Sequence, residues 1–390
     1  MSREGERRAA VRARRIVIKV GTSTLTREGH VRARKFGELA KAICALVDAG
    51  KEVVLVSSGA IAIGSHRLGW KHPGRSLREK QAAAAVGQIG LSEVYRSRFQ
   101  RYGREVAQVL VTRAGLDDRE GFLNARHTLL ELLRLGVVPI VNENDTVATE
   151  EIRFGDNDNL SATIVNLIGA ELLVILTDVD GLYERPPVKG EPLPPLHGVV
   201  ERITPEIRAA AQGSDSRYAR GGMQTKLQAA ESAARSGAAT VLCNGARASV
   251  LGEVVAGRAV GTLFLPGERM KSRKHWLAFT ARTRGALVID AGAVAAVVRA
   301  GRSLLPAGIV AIEGEFGIGD PVKCVDTAGR ELARGLVAYS SRELARILGQ
   351  PTNRIEPVLG YTNGPEAIHR DDLVVLGEPG ESPELSQTAG

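Results

Sequence analysis

VVPIVNENDTVATEEIRFGDNDNLSA, Val137 to Ala162, opens on a five-residue run of low polarity and closes on a helical period. The run 137–141 reads as a buried strand, and Leu160, Thr163, Ile164 and Leu167 recur with the spacing of one helix face. Between them stand Asn142, Glu143, Asn144 and Asp145, then Asp156, Asn157, Asp158 and Asn159. Asn and Asp tolerate turn conformations and cap helices, so one such cluster is ordinary loop chemistry. Two clusters, hung from the carboxyl end of one strand and the start of the next helix, are better explained as a substrate site. In an open α/β sheet that edge is where ligands bind.

Moving outward, the same strand-then-helix grammar repeats. Residues 16–20 form an apolar strand with Lys19 near its end, followed by Gly21-Thr22-Ser23-Thr24. A helix over 34–49 closes on Gly50, and a strand over 52–56 runs into Ser57-Ser58-Gly59-Ala60. A long helix from Ser76 to about Arg101 contains QAAAAVGQIG, whose small residues permit close packing against a neighbour. A strand over 106–111 and a helix over 120–134 complete the approach to Val137. Downstream, a strand over 171–176 ends in Thr177-Asp178, and a Pro-rich loop follows. Arg220-Gly221-Gly222-Met223-Gln224-Thr225-Lys226 then opens a helix to about Ser236, before a strand over 239–243. This alternation predicts an α/β domain with a parallel-rich sheet sandwiched by helices.

Three junctions carry candidate chemistry. Gly21 lets a ligand approach the backbone beside Lys19, and a lysine at a strand end is otherwise a snorkelling side chain. Ser58 is either a helix cap or a hydroxyl aimed with helix amides at an anion. Paired glycines before a helix with Lys226 in its first turns form a phosphate-binding arrangement, or else a flexible loop with a solvated lysine. Neither G-x-x-x-x-G-K-[ST] nor G-x-G-x-x-G occurs, so a nucleotide would be cradled by Gly21, Gly221 and Gly222.

A length of 390 residues argues for two domains, and 44% hydrophobic with 25% charged residues is a globular composition. The net charge of +8 permits phosphate-bearing ligands or nucleic acid without selecting either. Cys44, Cys243 and Cys324 show neither metal spacing nor a disulfide framework, which suits a reducing, cytoplasmic setting. No apolar run is long enough to span a membrane, so no membrane association is expected. Residues 1–14 are basic, contain two glutamates and lack an apolar core, which reads as a disordered leader rather than a secretory signal. The expected organisation is a first domain over 15–266, a linker over 267–284, a small β-rich domain over 285–376, and a disordered tail over 377–390.

The strings IKVGTS, VSSGAIAIG, FLNARHTLLELL, PIVNENDTVATEEIRFGDNDNLSA, LTDVDGLY and GGMQTKLQAA resemble, in order and spacing, the glutamate 5-kinases of the amino acid kinase family. SLLPAGIVAIEGEFGIGDPV and ARGLVAYSS resemble the PUA domain that many bacterial members carry. Arg220 departs from the pattern, which has a small or hydroxyl residue before the paired glycines. The resemblance implies an amino acid kinase fold with a PUA-like domain. It also implies transfer of the ATP γ-phosphoryl group to the γ-carboxylate of L-glutamate, the first step towards proline. By the same resemblance Lys19 and Lys226 flank the transferring group and Asp158 holds both lysines. Ser58, Asp145 and Asn157 bind glutamate, with Asn142 and Asp156 beside them. Gly21, Thr177, Asp178, Arg220, Gly221, Gly222, Met223, Gln224 and Thr225 line the ATP site with the two lysines. Mg²⁺ would be held largely by ATP and water, without a named protein ligand.

Further expectations from the resemblance are feedback inhibition by proline, a homo-oligomer (dimer or tetramer), and hand-over of product to glutamate-5-semialdehyde dehydrogenase. A sister kinase acting on aspartate, acetylglutamate, carbamate or UMP would share the fold. An RNA-binding role remains open through the PUA-like domain and the basic charge. Against it, the candidate residues lie in the first domain, and aromatics at 4% offer no stacking platform.

Overall fold

A computed structural model describes residues 7–27, 30–147, 156–188, 190–211, 222–267 and 272–376. The chain divides into two compact units, Met1–Met270 and Lys271–Gly390.

The first unit is built on one sheet. Its strands are β1 (Arg15–Val20), β2 (Glu52–Ser57), β3 (Val106–Val111), β4 (Val138–Glu143), β5 (Leu172–Thr177), β6 (Val199–Val200), β7 (Ala239–Asn244) and β8 (Thr262–Phe264). Their order across the sheet is β3-β4-β2-β1-β5-β7-β8-β6. The six long strands run parallel, whereas β8 returns antiparallel to β7 and pairs in parallel with β6. Strands buried on both faces need continuous apolar sequence, and LLVILT of β5 is buried at every position. The edge strand β3 is only half-buried.

Six helices matter for the site: α1 (Ala33–Asp48), α2 (Ala60–Arg67), α3 (Leu77–Phe99), α4 (Arg119–Arg134), α5 (Asp156–Ile168) and α6 (Gly222–Arg235). In α1, Phe36, Leu39, Ala40 and Ile43 form the buried stripe, and Gly50 ends the helix at φ +80°. Ser76 caps α3 by accepting from the Glu79 amide at 3.2 Å. The small residues read in α3 do pack closely. A Cβ on Gly87 would lie 1.8 Å from the Ala60 carbonyl oxygen, and one on Gly64 1.7 Å from that of Ala83. Only glycine at both positions lets α2 and α3 approach this closely, and that contact fixes the start of α2.

The second unit holds a five-stranded sheet: β9 (Gly285–Ile289), β10 (Ile309–Gly314), β11 (Pro321–Val325), β12 (Glu331–Leu336) and β13 (Leu373–Val375), in the order β10-β9-β11-β12-β13. Leu287, Val322, Cys324, Tyr339, Leu344 and Ile368 belong to its core.

Two sequence expectations are corrected. Residues 7–14 are not a disordered leader: Arg8–Arg12 is helical, and Ala10 and Ala13 enter the core. The Arg7 guanidinium is buried and donates to the carbonyls of Arg258, Val260, Gly198 and Gly261 at 2.9–3.2 Å. A run of arginines suggested solvent, but this one satisfies a turn's carbonyls. The expected linker over 267–284 contains a helix, Ser272–Phe279, that buries Trp276, Leu277 and Ala278 and belongs to the second unit. Its charged first half masked the apolar second half. The 377–390 tail lies outside the described residues.

Candidate active site

Side chains alternate along a strand, so Lys19 shares the face of Val17 while Ile16, Ile18 and Val20 enter the core on the other. Lys19 therefore faces α5, where Asp158 stands in the first turn. Lys19 Nζ lies 2.6 Å from Asp158 Oδ1, and Lys226 Nζ from α6 lies 3.3 Å from Oδ2. The Lys19 contact is an ion pair rather than a well-angled hydrogen bond, since Oδ1 meets no donor in hydrogen-bond geometry. Thr225 Oγ1 donates to Oδ2 at 2.8 Å, and Lys226 Nζ also donates to the Gly222 carbonyl at 2.8 Å.

Asp158 is fully buried and Lys19 nearly so. Burial pushes the Lys19 ammonium below its ordinary pKa, Asp158 opposes that, and Lys226 adds to it. For Asp158, burial alone would raise the carboxyl. The two ammoniums and the hydrogen bond from Thr225 outweigh burial and hold it below the usual range. The result is a carboxylate clamped between two cations. Glycines stand beside both ammoniums: a Cβ on Gly21 would sit 3.6 Å from Lys19 Nζ, and one on Gly222 3.7 Å from Lys226 Nζ. Neither position carries a side chain that would crowd an anion approaching the lysines.

The residue before Asp158 builds a second cluster. Asn157 Nδ2 donates to Ser58 Oγ at 2.7 Å, to Asn142 Oδ1 at 3.2 Å and to the Ser57 carbonyl at 3.3 Å. Asn142 is buried and donates in turn to Gln88 Oε1 at 2.9 Å. Ser58 does not cap α2, whose first flanking residue is Gly59 at φ +113° with no side-chain cap. That left-handed turn frees the Ser58 hydroxyl to meet Asn157. Among the described residues, the buried Asn157 Oδ1 accepts no hydrogen bond. A buried acceptor without a donor is costly unless a ligand supplies one.

The structure thus brings Lys19, Asp158, Thr225 and Lys226 into one cluster and Ser58, Asn142 and Asn157 into another, joined through consecutive residues of α5. Asp145 is half-buried in the turn after β4. Thr177 ends β5 buried and donates to Asp178 Oδ1 at 3.1 Å; Asp178 is exposed and lies near enough to Lys19 to favour its charge. Met223 and Gln224 sit in the first turn of α6, partly buried and exposed respectively. Thr225, read from sequence as an ATP contact, here spends its hydroxyl on Asp158. Arg220, Gly221 and the Asp156 side chain lie outside the described residues. Sequence reading missed Gln88, which sits in the small-residue run of a helix that gave no sign of polar work.

The amino acid kinase family model matches residues 14–244, which span both clusters, and a PUA domain model matches residues 285–359. The chain belongs to the amino acid kinase family. Its curated relatives include a glutamate 5-kinase of Cupriavidus taiwanensis, 52% identical over 368 residues that cover 93% of this chain and 98% of the relative. Glutamate 5-kinases of Paraburkholderia phymatum, at 51%, and Burkholderia mallei, at 52%, match over 366 residues each with the same coverage. Within the family's fold, the lysine clamp and the amide cluster stand at the carboxyl ends of β1, β2 and β4, where α/β sheets bind ligands. No helix among the described residues is long and apolar enough to cross a membrane.

Proposed function

We propose that this kinase transfers the γ-phosphoryl group of ATP to the γ-carboxylate of L-glutamate. The observation that carries the reading is the clamp of Asp158 between two lysines, set one residue from an amide cluster with an unfilled acceptor. The glutamate 5-kinase relatives at 51–52% identity over 98% of their length support the choice of acceptor.

The chemistry suits these residues. A glutamate side chain, with a pKa of about 4.3, is already ionised at neutral pH, so no general base is required. A γ-carboxylate oxygen attacks the γ-phosphorus, the bond to the β,γ-bridging oxygen breaks, and its electron pair leaves with ADP. The obstacle is repulsion between two anions together with their alignment. Lys19 and Lys226 would offset the charge, and Asp158 would hold them apart at fixed positions. Ser58, Asp145 and Asn157 would bind the amino-acid head, with Asn142 behind Asn157 and Asp156 nearby. Gly21, Thr177, Asp178, Gly222, Met223, Gln224 and Thr225, with Arg220 and Gly221, would line the ATP side.

Among the described residues no group of three or more His, Cys, Asp or Glu side chains is arranged to hold a metal ion. Magnesium enters this reading as part of the substrate, MgATP, and no step is assigned to a protein-held ion. Inhibition by proline, homo-oligomerisation, a cytoplasmic location and hand-over to a dehydrogenase belong to the same reading.

The test is ATP turnover with L-glutamate, trapping the acyl phosphate with hydroxylamine, alongside aspartate, acetylglutamate, carbamate and UMP. Glutamate-dependent hydroxamate with ADP release is expected. Faster turnover of another acceptor would overturn the assignment.

A further inference from the structure

We propose that Gln88, on α3, is a positioning residue for the amino-acid half of the site. Its side-chain carbonyl orients the amide of Asn142, and through it aims the buried Oδ1 of Asn157 at the substrate ammonium. The inference rests on the reading that the acceptor is an α-amino acid.

The support is the direction in which the hydrogen bonds run. An amide side chain has a donor end and an acceptor end, and turning one in a chain forces its neighbours to turn. Here both ends of the chain are anchored. At one end the Ser57 main-chain carbonyl, an acceptor that cannot turn, receives Asn157 Nδ2 at 3.3 Å. At the other end Gln88 presents Oε1 to Asn142 Nδ2 at 2.9 Å. Gln88 is itself oriented, because its Nε2 donates to Ser92 Oγ and to Gln108 Oε1, each at 3.3 Å. The single Ser92 proton can go to the Gln88 main-chain carbonyl at 3.0 Å or to Gln108 Oε1. With these ends fixed, Asn142 must offer Oδ1 to Asn157, and Asn157 must offer Nδ2 to Ser58.

Two consequences follow at the substrate. Asn157 Oδ1 is left as a buried acceptor, which suits an ammonium. Ser58 Oγ is already accepting, which leaves its proton to donate to a carboxylate. The polarity of the site, acceptor beside donor, is that of an α-amino acid. Without the Gln88 carbonyl, the buried Asn142 Nδ2 loses its acceptor. Turning Asn142 to recover one would set two amide nitrogens against each other, leaving Asn157 held only by the Ser57 carbonyl at 3.3 Å and the rotatable Ser58 hydroxyl, so the aim of Oδ1 would loosen. Gln88 itself touches neither lysine nor Asp158 in any of these bonds, so the phosphoryl side is left alone.

The experiment measures steady-state kinetics for Gln88→Leu and Gln88→Glu in the full chain. The leucine variant removes the acceptor; the glutamate variant keeps an oxygen facing Asn142. Gln88→Leu should raise KM for L-glutamate about tenfold or more, as for a lost hydrogen bond to a charged group, with kcat and KM for ATP changed by less than about twofold. Gln88→Glu should return KM for L-glutamate to within about threefold of wild type. Should Gln88→Leu fail to fold, Gln88→Met follows the same path without an acceptor and carries the same expectation. An unchanged KM for glutamate in the leucine or methionine variant overturns the proposal. So does a fall in kcat with both KM values rising and no recovery in Gln88→Glu, because that pattern is general loosening. If wild type shows no glutamate-dependent turnover, the reading of the substrate fails first, a result distinct from both.

Discussion

Replacing Asp158 by asparagine keeps the side-chain volume and removes the negative charge between Lys19 Nζ at 2.6 Å and Lys226 Nζ at 3.3 Å. The carboxylate is 0% exposed and the lysine side chains 7% and 13%, so water cannot take its place. Removing one partner of a buried pair costs about 3–5 kcal/mol. Lys19 sets a ceiling by shedding its proton: from an ordinary pKa of about 10.4, that costs about 4.6 kcal/mol at pH 7. The two limits agree. At about 2–4 °C per kcal/mol for a domain near this size, the melting temperature should fall by roughly 6–20 °C. On the proposed reading ATP brings anionic oxygens to the same lysines, so it should recover more of the loss in the variant than it adds to wild type. In the hydroxamate assay kcat should fall about 10²–10³-fold, the scale for losing organised transition-state charge stabilisation, with KM for glutamate little changed. The pH dependence has a definite sign. The Asp158 pKa is lowered in the folded state, so its contribution is complete above the unfolded value of about 3.9 and is lost as pH falls through the folded value. The melting gap between wild type and variant should therefore narrow in that acid window, and also as pH rises above neutral, where shedding the Lys19 proton costs the variant less. A variant that melts within about 2 °C of wild type at pH 7 and keeps kcat within about fivefold would refute the reasoning.

Lys19→Ala and Lys226→Ala should each lower kcat by about 10²–10³-fold with a smaller change in KM for glutamate; near-normal kcat in either would remove that lysine from the reaction. Gly87→Ala must displace the Ala60 carbonyl, which a Cβ would meet at 1.8 Å. A loss of about 1–3 kcal/mol in denaturant unfolding is expected, with a raised KM for glutamate because α2 follows Ser58; an alanine variant as stable as wild type would refute the packing argument. Arg7→Ala abandons four carbonyls and should cost about 1.5–3 kcal/mol or more, read as a lower melting temperature with the site kinetics intact. L-Proline, which shares the α-carboxylate and α-amino group and lacks the γ-carboxylate, should raise the apparent KM for glutamate; an unchanged value at millimolar proline would rule out a shared site.

The parallel-rich sheet was legible because β1, β2, β4, β5 and β7 are mostly apolar runs, β1 broken only by Lys19 near its end, separated by helical periods. The pairs Lys19–Asp158 and Ser58–Asn157 bring together residues far apart in the chain. The motifs marked these residues as important, yet only the sheet's connectivity brings them within hydrogen-bond distance. What stayed hidden has a common physical form. Arg7 looks solvated until the turn at 258–261 supplies carbonyls, and Gln88 looks like filler until Asn142 points at it. Thr225 stands among nucleotide candidates but bonds to a carboxylate 67 positions earlier. The short β6 and β8 carry too little pattern to be read as strands without β7 beside them. In each case the partner is distant, and local periodicity carries no record of it.

The Arg7 latch also has a consequence in time. Its acceptors at Arg258 and Gly261 lie 251 and 254 positions downstream. At about 5–20 residues per second of synthesis, roughly 13–50 s separate the arginine from the carbonyls it will bind. During that interval β1, the central strand, can pair with β2 and later β5, and Lys51 can meet the Val11 and Ala13 carbonyls at 3.1 and 2.7 Å, but the turn that seats Arg7 is still missing. The pairs at the middle of the sheet can therefore form before Arg7 is seated.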